Sequence, residues 1–79
     1  MPTILRKDGF RFLFYSNEGN EPCHIHVKKG DGNAKIWLEP GIQEAYFYGF
    51  SPNEIKVIRE TIIEYESFLK EKWNEYFNN

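Results

Sequence analysis

The stretch Asn20-Glu21-Pro22-Cys23-His24-Ile25-His26-Val27 decides the fold, because it holds both histidines and the single cysteine of the chain. Read as a β-strand, it sends successive side chains to opposite faces. Cys23, Ile25 and Val27 then line one face, small and apolar, and suit a core. His24, His26 and Lys28 line the other, with the two imidazoles about 6–7 Å apart along the strand. Two histidines at this spacing can clamp a metal, share acid and base roles, or serve as plain polar contacts. Their surroundings have to choose.

Toward the N-terminus, Thr3 to Arg6 reads as a short strand and Asp8-Gly9 as a tight hairpin turn needing positive φ. Phe10 to Tyr15 forms the returning strand. Phe10, Phe12 and Phe14 fall on its core face, and Arg11, Leu13 and Tyr15 on the histidine face. Residues 16–22 are a polar loop rich in turn formers. Toward the C-terminus, residues 30–33 turn the chain into a strand over Ala34 to Glu39. There Ala34, Ile36 and Leu38 match the core, while Lys35, Trp37 and Glu39 match the histidines. Pro40-Gly41 suits a type II turn, and Ile42 to Tyr48 reads as a further strand ended by Gly49.

Ser51-Pro52-Asn53-Glu54 marks a helix start: a Ser N-cap, Pro in the first helical position, and Glu placed to close a capping box. From there Ile55, Ile58, Ile62, Tyr65, Leu69, Trp73 and Tyr76 follow a 3–4 spacing, predicting one helix over about 52–77. Such a helix is about 39 Å long, more than a short strand spans. Its terminal aromatics Trp73, Tyr76 and Phe77 are therefore expected to overhang the sheet as an exposed, partner-binding patch, unless some of them close the helix onto the rim. Glu66 and Lys70 pair at i,i+4 on its solvated side.

Counting faces gives the architecture. The expectation is a single α+β domain over 1–79, with a four- to five-stranded antiparallel sheet over about 3–48 and one long C-terminal helix packed on one face. That leaves the other face open, showing Arg11, Leu13, Tyr15, His24, His26, Lys28, Lys35 and Trp37.

Seventy-nine residues allow one small core, and 18% aromatic content is how a short chain builds it. One cysteine excludes an internal disulfide. The sequence shows no secretory leader and no apolar run of transmembrane length, so a cytoplasmic protein with no membrane role is the economical reading. The net charge of −2 argues against nucleic-acid binding by bulk charge alone. The charge is uneven, however: residues 1–35 hold six Lys/Arg against four Asp/Glu, and residues 36–79 four against eight.

The run of motifs is itself informative. Ser16-Asn-Glu-Gly-Asn-Glu-Pro, His24-Ile-His-Val27, Ala34-Lys-Ile-Trp-Leu-Glu-Pro40, Gly49-Phe-Ser-Pro52 and Trp73-Asn-Glu-Tyr-Phe77 occur in that order. In this the chain resembles the bacterial domain-of-unknown-function family 4160 along nearly its whole length. The resemblance implies a gene encoded beside a second small protein, in a pair that looks like a toxin–antitoxin module with this chain as the toxin half. The family's signature histidines fall on His24 and His26. The usual pattern has two prolines before the first histidine, where this chain has Pro22-Cys23, and Cys23 points into the core on the alternation above.

Taken with the residues, this predicts the toxin component of a bacterial type II toxin–antitoxin-like module, neutralised by direct binding of a small cognate protein encoded nearby. Whether it is an enzyme stays open. Histidine, whose unperturbed pKa is about 6.5, suits metal-independent RNA cleavage, with His24 and His26 as acid and base and Lys28 or Arg11 stabilising the phosphorane. Tyr15 and Trp37 would stack bases, and Arg11, Tyr15, Lys35 and Trp37 complete the substrate or partner face. No cofactor and no metal is expected, since a zinc site wants three or four ligands and neither Glu21 nor Glu39 is secured by spacing. The alternative is a non-enzymatic protein-binding or regulatory module using the open sheet face. The exposed patch could equally meet a second copy of the chain, so homo-oligomerisation remains open.

Overall fold

Two left-handed residues, Asp8 (φ 55°) and Gly9 (φ 84°), close the first hairpin, as a two-residue turn of positive φ requires. In the computed structural model, which describes residues 3–15 and 19–77, this turn starts a five-stranded meander. The strands are β1 (Thr3–Lys7), β2 (Phe10–Leu13), β3 (His24–Lys29), β4 (Gly32–Trp37) and β5 (Gln43–Tyr48). They lie in the order β1-β2-β3-β4-β5, every pair antiparallel. The expected sheet is therefore present. The first part of the polar loop, residues 16–18, lies outside the described residues.

Register places the apolar rows. Phe12, Val27, Ala34 and Phe47 stand opposite one another across four strands, and Ile25 faces Ile36 beside them. Phe10, Phe12, Phe14, Cys23, Ile25, Val27, Ala34, Ile36 and Leu38 are buried in one cluster with Ile58, Ile62, Leu69 and Trp73 from the helices. Burying each large side chain contributes on the order of 1.5–3 kcal/mol, so this one layer carries the domain. Gly32 belongs to the same face, and its missing Cβ makes room for the Phe50 ring, which such an atom would meet at 2.6 Å. Phe50 in turn packs against Phe10, with ring centroids 5.9 Å apart.

The helix begins as expected. Ser51 Oγ accepts from the Glu54 N–H at 3.1 Å, and Glu54 Oε1 accepts from the Ser51 N–H at 2.8 Å. The Glu66–Lys70 pair also forms, at 2.9 Å.

Three expectations are corrected. First, the single long helix is two, α1 (Pro52–Glu64) and α2 (Glu66–Phe77), joined at Tyr65, whose ψ of 17° leaves the helical range. The Thr61 hydroxyl donates to the Val57 carbonyl at 2.8 Å just upstream, a back-bond that bends helices. The ladder still runs through the joint, from the Tyr65 N–H to Thr61 O and from the Leu69 N–H to Tyr65 O, each 2.9 Å. A 3–4 apolar spacing survives such a bend, so the pattern alone does not reveal it.

Second, Pro40-Gly41 is not a type II turn, since Gly41 is not among the positive-φ glycines. Third, β2 stops at Leu13 rather than Tyr15, although Phe14 and Tyr15 keep the core side and the histidine side that alternation gave them. Among the described residues, no helix is long and apolar enough to cross a membrane.

Candidate functional site

The face opposite the helices is organised by three rows that cross the sheet. Arg6, Arg11, Lys28, Asn33 and Tyr48 form the first, and Thr3, Leu13, His26, Lys35 and Tyr46 the second. His24, Trp37 and Gln43 form the third, at the end where β3 begins. Arg11, Leu13, Tyr15, His24, His26, Lys28, Lys35 and Trp37 are on it as predicted, whereas Glu39 lies past the end of β4. The face is not uniformly open, which corrects the expectation. His24 is 0% exposed, His26 only 9%, and Leu13, opposite His26 on β2, is fully buried.

His24 is buried by aromatic rings from three directions. Its centroid lies 4.9 Å from Trp73, 5.2 Å from Trp37 and 5.1 Å from His26. Tyr15, past the end of β2, lies 4.8 Å from His26 on the other side. His24 Nδ1 stands 3.0 Å from the Pro22 carbonyl. A carbonyl oxygen can only accept, so Nδ1 carries the proton in this bond. Glu21 Oε1 is 3.8 Å from the same nitrogen and accepts from Lys35 Nζ at 3.0 Å. That ammonium also sits 4.3 Å over the Trp37 ring. The loop before β3 is thus tied to β4 through charge and to His24 through its backbone.

Trp73 links the two sides of the domain. Besides His24, its ring packs against Phe14 at 5.3 Å and Phe77 at 4.3 Å. Phe77 lies so close to Gly19 that a Cβ there would meet the ring at 2.8 Å. Of the three terminal aromatics predicted to overhang, Trp73 is buried and Phe77 half-buried, so the exposed patch is corrected to Tyr76 alone. Even Tyr76 rests on Phe14, at 5.2 Å. With the bend at Tyr65, α2 stays against the end of the sheet and closes the rim.

The other end of the face differs. Lys28 Nζ stands 5.9 Å over Tyr15, and the Arg11 guanidinium donates to Thr3 Oγ1 at 3.4 Å. Tyr46 and Tyr48, on edge strand β5, are 44% and 69% exposed. Arg6, Tyr46 and Tyr48 were not singled out from the sequence. The alternation of Gln43 to Tyr48 hinted at the tyrosine pair, but only the register sets them beside Lys35 and Asn33.

Cys23 faces the core, and burial together with the nearby Glu39 carboxylate pushes its thiol up to about 11, with Lys70 opposing. At neutral pH it is an inert thiol, not a nucleophile. Among the described residues, no three His, Cys, Asp or Glu side chains converge in a way that would hold a metal.

An antiparallel meander, helices on one face and a mixed basic and aromatic surface on the other, defines an open-faced α+β class of domain. A family model described as Domain of unknown function (DUF4160) matches residues 9–74, and the chain belongs to that family. No curated protein and no solved structure matches it.

Proposed function

We propose that this chain is the toxin component of a bacterial type II toxin–antitoxin-like module, neutralised by direct binding of a small cognate protein encoded nearby. The observation that carries the protein-binding part is an apolar strip beside the free edge of the sheet. Ile36 and Ile42 from the sheet side and Ile62 and Ile63 from α1 line a groove of about 130 Å³, with Glu44 and Arg59 paired at its rim. Ile63 is 66% exposed and Ile42 is also exposed. Strand β5 beside them is, among the described residues, paired on one side only, and its one charged residue, Glu44, is engaged by Arg59. Such an edge takes an added strand, and the groove takes its apolar side chains.

The test is inducible expression in a bacterium, with and without the neighbouring gene. Growth arrest that the neighbour relieves, and a stoichiometric complex that the double substitution Ile42→Asp/Ile63→Asp breaks while arrest persists, support the reading. Absence of both complex and rescue sinks it.

A ribonuclease built on the histidine pair is the second reading, and the geometry divides the pair unequally. His24 has no exposed surface, so it serves as a positioning residue. His26, with Lys28 beside it in the next row, is the imidazole nearer solvent. Use of both as acid and base requires His24 to leave its place between Trp37 and Trp73. On this reading RNA cleavage survives chelator and is lost in His26→Ala. The buried position of His24 favours binding over catalysis, in line with the alternative of a non-enzymatic module.

A further inference from the structure

The geometry points to a binding site for single-stranded nucleic acid on the open end of the sheet, formed by Arg6, Arg11, Lys28, Tyr46 and Tyr48. It names a ligand class for the part of the face that the proposed docking groove leaves unassigned.

Three cations, Arg6, Arg11 and Lys28, stand side by side on β1, β2 and β3 in one row. None of them makes an ion pair with a carboxylate among the described residues. The buried Arg11 Nε has no hydrogen-bond partner there either. The same row ends on β5 at Tyr48, with Tyr46 in the adjacent row beside Lys35. Their rings are the largely uncovered aromatics of this face.

Three carboxylates of the sheet half have other partners: Asp8 pairs with Lys7, Glu21 with Lys35 and Glu44 with Arg59, while residues 52–77 hold six Glu against four Lys/Arg. Within a chain of net charge −2, Arg6, Arg11 and Lys28 are thus a local row of cations without a carboxylate partner among the described residues.

Five strands at about 4.8 Å give a row roughly 19 Å long. That length accommodates the two or three bases, about, that a sheet platform stacks on its aromatics. Cations at one end and rings at the other match a backbone and its splayed bases. Paired bases in a duplex present no free faces to the tyrosines, so the arrangement selects single strands. The site uses neither histidine, so it stands apart from the question of catalysis. It also stands whether or not expression proves toxic, because binding is read in vitro.

Fluorescence anisotropy with labelled oligouridine, with oligothymidine of the same length, and with a duplex tests this on the full chain. The expected result is binding to both single strands that weakens with salt, with a log–log slope of about −2, from ~0.7 per neutralised phosphate and three cations. Lys28→Ala lowers the slope by about 0.7. Tyr48→Ala weakens binding by about tenfold, the loss of one base stack. Circular dichroism confirms that both variants remain folded. Failure of the wild-type chain to bind either single strand at low salt overturns the proposal. So does equal binding to the duplex with no effect of Tyr48→Ala, which would mark a nonspecific polyanion contact.

Discussion

The two ends of the polar sheet face start from the same alternation and finish in opposite environments. At the β3 start, His24 and Trp37 lie in a row that Trp73 covers from the helices. Two rows away, Arg6 and Tyr48 remain in solvent. Strand pairing assigned both rows to one face, but coverage was settled by residues distant in sequence. Polarity along a strand tells which way a side chain points, and it does not tell whether water reaches it. The consequence is a contrast within one face: one end holds α2 to the sheet, and the other keeps Arg6 and Tyr48 in solvent.

The largest expected effect tests the covered end. Trp73→Ala removes the ring shared by Phe14, Phe77 and His24, and truncating a buried Trp costs about 3–5 kcal/mol. Urea denaturation should show most of the stability of so small a domain gone. Iodoacetamide should then modify Cys23, which the native chain protects by burial and by a thiol pushed up to about 11. A stable, unreactive Trp73→Ala protein would break the comparison.

Next come the histidines. His24→Ala is expected to cost about 1–3 kcal/mol, because it empties a buried site and strips the Pro22 carbonyl of its donor. His26→Ala, nearer the surface, should cost less. Equal losses in chemical denaturation would mean that the gradient in burial carries no energetic weight.

Ser51→Ala gives a control remote from both ends, with an expected loss of about 1 kcal/mol from the N-cap. Its partner Glu54 supplies a pH signature. The hydrogen bond from the Ser51 backbone, aided by Lys29, holds the Glu54 carboxyl below its ordinary 4.5. A depressed carboxyl stabilises the folded state above its unfolded pKa and loses that contribution as pH falls through the folded value. The stability gap between wild type and Glu54→Gln should therefore close on acidification below about pH 4.5.

The smallest effect belongs to the open end. Lys28→Ala and Tyr48→Ala should each shift stability by no more than about 0.5 kcal/mol, as exposed substitutions do. A loss larger than that would show that this end, too, is structural.

How much was legible depended on range. The hairpin at Asp8-Gly9, the capping box at Ser51 and the Glu66–Lys70 pair are local, and each was readable from a few adjacent residues. The alternation of Phe10, Phe12, Ile25, Val27, Ile36 and Leu38 was enough to place the core. The candidate site was legible only in part. Which residues share the polar face followed from period two. The burial of His24 and the inclusion of Arg6, Tyr46 and Tyr48 did not, since they depend on register and on the bend at Tyr65.

By itself the sequence determined the order of strands, the start of the helical segment, the faces of the strands and the family, because these rest on short-range periodicity, turn chemistry and ordered motifs. Only the tertiary structure decided which part of the polar face is closed. Trp73 follows His24 by 49 positions in the chain, yet the rings meet at 4.9 Å. No local pattern encodes that contact. It arises because a bent helix laid across a five-stranded sheet brings its last turns to the sheet's end, where burying an aromatic ring outweighs leaving it in water.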